Sequence, residues 1–320
     1  MTAFYDTNLV LIQGTLVAVL LALSVQIPLR FGIFSLAGVG SYGIGAYLSA
    51  NLVLRYELAS VPAIVLTGLV TAVVGLVLGL VIYRLAGLYL AMATIAFDLM
   101  VAVVALNGGE WTGGPVGLFG IFSDLTTGLM LAIVGICLLA VHLTERGRLA
   151  RRITVVREDT ELASSVGVNV RAYRLSAFVV SGFVGGVAGS LNTLTRYAVG
   201  LQDVSFHLVI VALTMIIVGG ALSWRGAVIG AILFTWLPEA LAVVGDWQEL
   251  VYGVVVALAG IFLPTGLYGL LTRARRGYAA RRRAVPARSR ATATDVATEE
   301  ELRHAATSSQ LVPDKRVEPR

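Results

Sequence analysis

This sequence predicts an all-α, polytopic integral membrane bundle, and three observations carry that expectation. Hydrophobic residues make up 57% of the 320 and charged residues only 13%, giving a mean hydropathy of +0.85. A soluble domain is about half apolar and roughly a quarter charged, so this chain has more apolar surface than a water-facing fold can bury. Apolar runs near the length of about 20 residues that crosses a bilayer recur along the chain. The charges, finally, are gathered in one loop and one tail. From Thr272 to the end there are 12 Arg or Lys and 6 Asp or Glu, whereas the first 271 residues carry a net charge of −1. The body therefore has no basic face for phosphates, and nucleic acid is excluded as a partner.

Nine candidate spans follow, within a range of eight to ten, near 9–28, 35–53, 62–83, 87–106, 126–143, 175–195, 206–222, 226–244 and 248–264. The first has Asp6 and no Arg or Lys before it, and it is long enough to cross, so it reads as a span and not a cleaved signal. The second and eighth are the weakest, being interrupted by small residues or by Pro238. Between the fifth and sixth lies a loop, about 144–174, holding Arg146, Arg148, Arg151, Arg152, Arg157, Arg171 and Arg174. The positive-inside rule places this loop and the basic tail in the cytoplasm, which puts the N-terminus outside. The domain reading is a membrane-spanning body over 1–271 and a basic, disordered cytoplasmic tail over 272–320, low in hydrophobicity and without periodicity. Arginines at the start of that tail suit the anionic headgroups of membrane lipids.

Glycine is the next signal. Pairs four residues apart (Gly75 and Gly79, Gly182 and Gly186, Gly185 and Gly189, Gly226 and Gly230) place small residues on one helix face and let backbones meet in lipid. The stretch Gly38–Gly45 is crowded enough to weaken a regular helix. Broken helices in a membrane are tolerated where they are buried in protein or line a wet cavity, so Gly40, Ser41, Tyr42, Gly43 and Gly45 become candidates for a pathway wall. Asp98 lies in mid-span, where a carboxylate serves either a buried structural hydrogen bond or the pathway itself.

The chemistry of enzymes is not legible. The single cysteine, Cys137, excludes an internal disulfide and a multi-cysteine metal site. Neither a nucleophile–base spacing nor a carboxylate pair emerges, and the only lysine is Lys315, so there is no Walker A loop to hold ATP. In the arginine-rich loop, Asp159 to Val166 suits a short helix with acids at its start, and Gly167 is placed to end it. Such a helix is either a solvated connector or a docking element.

The loop and the span after it resemble the coupling segment of the branched-chain amino acid ABC transporter permeases of the LivM type. The residues that carry this are Val156-Arg157-Glu158-Asp159, Ala163, Gly167-Val168-Asn169-Val170, Tyr173-Arg174-Leu175 and the run Ser181–Gly189. In order along the chain, further pieces are similar: Gly43-Ile44-Gly45-Ala46-Tyr47, Gly87-Leu88-Tyr89-Leu90-Ala91, Thr94-Ile95-Ala96-Phe97, Thr112-Gly113-Gly114 in an outer loop, Gly219-Gly220, and Pro264-Thr265-Gly266-Leu267. The resemblance covers about 9–271. It implies a permease in a bacterial-type plasma membrane, paired with a second related permease, two cytosolic ABC ATPase subunits and an extracytoplasmic solute-binding protein. ATP and Mg would be bound by the ATPases, and no cofactor by this chain. Arg157, Glu158, Asp159 and Gly167 would belong to the ATPase-coupling segment, and Asp98, Thr112, Gly113 and Gly114 join the pathway candidates.

The departures bear on the solute. No histidine follows Ser35-Leu36, Asp98 stands where the pattern has glutamate, and Leu263-Pro264 replaces an Arg-Pro. Branched-chain amino acids are the first expectation, and urea, short amides or other amino acids the alternative. From a different class, an ion-coupled secondary transporter would also show glycine-broken spans and an intramembrane acid, but it gives the loop nothing to dock.

Overall fold

The computed structural model describes residues 8–241 together with 247, 250, 251, 253, 254 and 266–270. Contacts divide the chain into Met1–Gly269 and Leu270–Arg320. Of the second unit only Leu270 is described, so the predicted tail, 272–320, lies outside the described residues, as does most of the ninth predicted span.

The described architecture is helical and follows the apolar runs in order. Helix α1 is Leu9–Arg30, α2 Ala37–Tyr56, α3 Ser60–Ile82, α4 Gly87–Asn107 and α5 Thr127–Thr144. Two shorter helices, α6 (Gly147–Glu158) and α7 (Thr160–Ser165), fill the arginine-rich loop. They are followed by α8 (Val170–Arg196), α9 (Phe206–Gly219) and α10 (Trp224–Leu241). A two-residue ladder, β1 (Leu118–Phe119) against β2 (Ala198–Val199), ties the loop before α5 to the end of α8.

By length and apolarity, α1, α3, α4, α5 and α8 can each cross a membrane, and α9 with α10 adds a sixth if the bent pair is one span. The expected count of nine is therefore not what the described residues show. Helix α2 is long enough, but its Gly, Ser and Tyr content keeps its hydropathy low. The seventh and eighth predicted spans form a pair bent by 119° at a short break. Helix α9 has 14 residues, about 21 Å at 1.5 Å per residue, against roughly 30 Å of hydrocarbon. Gly220, with φ of +119°, makes the reversal.

Helix α8 is the hub. It packs along α1, α2 and α3, and its middle, from Val184 to Leu194, is buried throughout. The approach is close because glycines face backbone. A Cβ on Gly45 would meet Gly186, one on Gly185 the Gly38 carbonyl, and one on Gly189 the Tyr42 carbonyl. On the other side of α8, Gly75 and Gly182 do the same against Phe178 and Thr71. Four-residue glycine spacing here serves helix crossing. By contrast α3, α4 and α5 turn large apolar side chains outward, among them Val65, Leu69, Val73, Leu88, Met92, Val103 and Ile136. Surfaces that apolar require lipid or protein against them.

Candidate functional sites

The coupling loop is built by capping. The Asp159 carboxylate accepts the backbone N–H groups of Glu161 and Leu162, each at 2.9 Å, and so starts α7 where α6 stops. Gly167 ends it in the left-handed region at φ +79°, with Val168 N–H donating to the Ala163 carbonyl at 3.0 Å. Asn169 then caps α8 through the Ala172 N–H at 3.1 Å. Three caps within eleven residues, Asp159 to Asn169, explain how a polar loop acquires defined helix boundaries. Arg157 and Glu158 sit at the joint, paired at 3.3 Å, with Glu158 exposed.

The loop is fastened to the bundle on one side and bare on the other. Ile153 and Val156 of α6 and Ala163 of α7 are buried. A Cβ at Gly32, in the turn after α1, would lie 3.1 Å from the Arg157 Cα. Nearby, Arg30 pairs with Glu145 at 3.7 Å and donates to the Thr144 hydroxyl at 2.9 Å. Glu145 in turn accepts the Trp224 N–H at 2.9 Å, and the Trp224 indole N–H donates to His142 Nδ1 at 3.1 Å. The ends of α1, α5 and α10 are thus joined beside the loop. Facing away from all of this, Leu162 on α7 is 56% and Val166 at its C-cap 65% exposed, one turn apart.

Among the pathway candidates, the structure brings Gly40 and Asp98 together. The Gly40 N–H donates to Asp98 Oδ1 at 2.7 Å, and one turn earlier on α4 the Thr94 hydroxyl accepts the Leu36 N–H at 3.2 Å. The first turn of α2 is therefore capped in trans by two side chains of one α4 face, a carboxylate at a helix N-terminus being favoured by the dipole. A Cβ on Gly40 would collide with Asp98 and Phe97. Asp98 Oδ2 is buried with no hydrogen-bond partner among the described residues, beside a small void lined by Val39, Val204, Phe206 and Val209.

Gly43 and Thr112 meet elsewhere, around a cavity of about 450 Å³ shared with Tyr47, Asn51, Val104 and Trp111. Its walls are apolar apart from a few polar atoms. Gly113 and Gly114, at φ +69° and +56°, do not line it but turn the chain just after its Trp111–Thr112 edge, and Thr112 Oγ1 accepts the Gly114 N–H at 3.3 Å. Ser41 and Gly45 are directed at α8 instead, and Tyr42 is buried in the core. The stretch from Gly38 to Gly45 is an unbroken part of α2, contrary to the expectation of a broken helix: its glycines admit α8, Asp98 and Val204 without interrupting the backbone ladder.

The sequence reading passed over the latch at this cavity. Asn51 Nδ2 donates to the Trp111 carbonyl at 2.7 Å, Arg55 Nε donates to Asn51 Oδ1 at 3.0 Å, and the Arg55 guanidinium lies 4.3 Å over the Trp111 ring. The available signal was an Asn and an Arg four apart at the polar end of α2. It also passed over α6, whose buried Ile153 and Val156 are three apart among arginines.

Comparison with known proteins places the sequence in a known family. The profile of the branched-chain amino acid transport system permease component family matches residues 9–260. The chain is 27% identical to the high-affinity branched-chain amino acid transport system permease protein LivM of Escherichia coli K12, over 79% of this chain and 68% of that protein. It is 26% identical to LivH of the same organism, over 53% of this chain and 56% of that protein. No solved structure gives a significant match. With a match across most of its length and a bundle of apolar helices to carry it, this chain belongs to the family of permease components of branched-chain amino acid transport systems, as a multi-pass plasma membrane protein.

Proposed function

We propose that the chain is one transmembrane permease of an ATP-driven, binding-protein-dependent importer of branched-chain amino acids. It pairs with a second, LivH-like permease, takes up solute from an extracytoplasmic binding protein, and is moved by two cytosolic ATPases that hold the ATP and Mg. Residues 1–271 form the permease domain and 272–320 a basic cytoplasmic extension. The N-terminus faces outward and the C-terminus and coupling loop inward.

The observation that best supports this reading is the two-sided loop: bare on the Leu162–Val166 face, locked to the bundle on the other. A protein pressing on α7 would push on α6, and through the Gly32 turn and the Arg30–Glu145 pair on the ends of α1 and α5. Arg157, Glu158, Asp159 and Gly167 contribute by shaping the joint. Alternating access needs two arrangements of the bundle, and the α2–α4 contact is suited to separate them. It hangs on two buried hydrogen bonds, from Gly40 and Leu36, and has a cavity at its far end. That cavity exceeds the volume of a leucine side chain, and its apolar walls suit an aliphatic group, with Thr112 and Asn51 as polar edges. Gly40, Gly43, Asp98 and Thr112 line the voids of this seam; Ser41, Tyr42, Gly45, Gly113 and Gly114 hold its walls.

Uptake of labelled leucine, isoleucine, valine and urea, in cells with and without the chain, tests the reading. Depleting ATP should abolish branched-chain uptake, and collapsing the proton gradient at preserved ATP should leave it unchanged. Uptake that follows the gradient would replace the mechanism; loss of urea uptake alone would replace the solute.

A further inference from the structure

At the end of the bundle that carries α6 and α7, three arginines gather with no acid paired to any of them among the described residues. The Arg171 guanidinium lies 4.6 Å and that of Arg84 5.5 Å from the Tyr83 ring, and Arg84 Nε donates to the Tyr83 hydroxyl at 3.0 Å. Arg174, one turn beyond Arg171 on α8, lines a narrow cleft with Tyr83, Leu85, Ala86, Gly87 and Phe178. Its Nε is buried there with no hydrogen-bond partner among the described residues. None of the three makes an ion pair among the described residues. The field is visible in Tyr83, whose hydroxyl is held below the usual phenol pKa by the Arg84 hydrogen bond, then by the charges of Arg84 and Arg171.

The same cleft receives the start of α4. This 21-residue helix begins at Gly87 with no side-chain cap, so its first N–H groups and its positive dipole end open toward Ala86, Gly87 and Leu90. Like charges gathered around one ring, an orphan guanidinium nitrogen and an uncapped helix start all favour a bound anion. Arginine forks match phosphate oxygens in particular. The neighbouring side chains identify its source. Val81, Leu88 and Tyr89 are each more than 70% exposed, an apolar strip suited to acyl chains.

We infer that the Arg84–Arg171–Arg174 cluster is a binding site for the phosphate of an anionic membrane phospholipid, seated between the α3–α4 turn and α8. The site rests on the inward orientation of the coupling loop but not on the solute, and it sits where a lipid would steady the start of α8 beside α7.

The test uses the full chain purified with its co-purifying partners, delipidated, and titrated with short-chain phosphatidylglycerol, phosphatidylcholine or inorganic phosphate while its melting temperature is followed. Phosphatidylglycerol should raise the melting temperature and the other two should not. Arg171→Gln with Arg174→Gln should weaken the response roughly 25-fold, taking about fivefold per arginine. Replacing both by lysine should restore much of it, which separates binding from folding. Arg148→Gln with Arg151→Gln, on the exposed face of α6, should leave it unchanged. An unaltered response in the first double variant, or an equal response to inorganic phosphate, would overturn the lipid site. So would absence of any response in the assembled complex, which would assign the cluster to an acidic surface of a partner.

Discussion

The α2–α8 crossing and the α6–α7 loop are both tightly specified, but by opposite means. At the crossing, specificity comes mainly from missing atoms: Gly45, Gly185 and Gly189 let backbone lie on backbone, and the Thr193 hydroxyl donates to the Ala46 carbonyl at 3.2 Å. In the loop it comes from polar atoms at fixed positions: Asp159, Asn169 and the Arg30–Glu145 pair settle where each helix begins and what it leans on. In lipid there is no hydrophobic drive between helices, so close van der Waals approach must hold the bundle. In water the loop competes with solvent for every backbone group, and caps decide the outcome. The crossing should therefore fail on any added carbon, whereas the loop should tolerate most changes outside its caps and its bare face.

Substitutions can break that contrast. The largest effect belongs to Gly45→Leu, which drives a side chain into Gly186. Overpacking costs about 1–3 kcal/mol where neighbours can move, and more is expected where the obstacle is backbone, so folded protein in the membrane fraction should fall severely. Glu158→Lys should abolish uptake while leaving membrane insertion intact; normal uptake with ATPases assembled would remove the coupling role of this joint. Asp98→Leu leaves the Gly40 N–H buried without its acceptor, at a cost of about 1–3 kcal/mol. Asp98→Asn keeps an acceptor and should retain most of the stability, so equal melting temperatures for the two variants would discount the trans cap. The smallest effect is that of Asp159→Ala, about 1 kcal/mol for a lost N-cap. It should be measurable as faster amide exchange in α7 with little change elsewhere, and Asp159→Asn should reverse it.

The same division explains what could be read from the sequence alone. Helices α1, α3, α4, α5 and α8 are visible because a membrane span is a composition rule, applied residue by residue. The ends of α7 were legible because Asp159 and Gly167 act within their own turn. Neither the fold of Gly38–Gly45 nor the pairing of α9 with α10 was legible. A glycine-rich segment weakens a helix locally, but the α8 surface that fits those glycines is some 140 residues away in the chain. The 119° reversal depends on Gly220 and on Trp224 reaching Glu145 and His142 of α5, contacts that no local pattern announces. Asp98 was visible as an anomaly, and only the fold supplied Gly40 as its partner. The Asn51–Arg55–Trp111 latch escaped notice because each residue is ordinary at the end of a helix or in a loop.

The most direct experiment acts on the bare face of α7. Leu162→Asp with Val166→Asp alters two exposed side chains and leaves the Asp159 and Gly167 caps of α7 in place. The double variant should insert and melt as the unaltered chain does, while losing both the co-purified ATPase and ATP-dependent uptake of branched-chain amino acids. Full ATPase association and full uptake in that variant would contradict the transmission of ATPase movement through this loop.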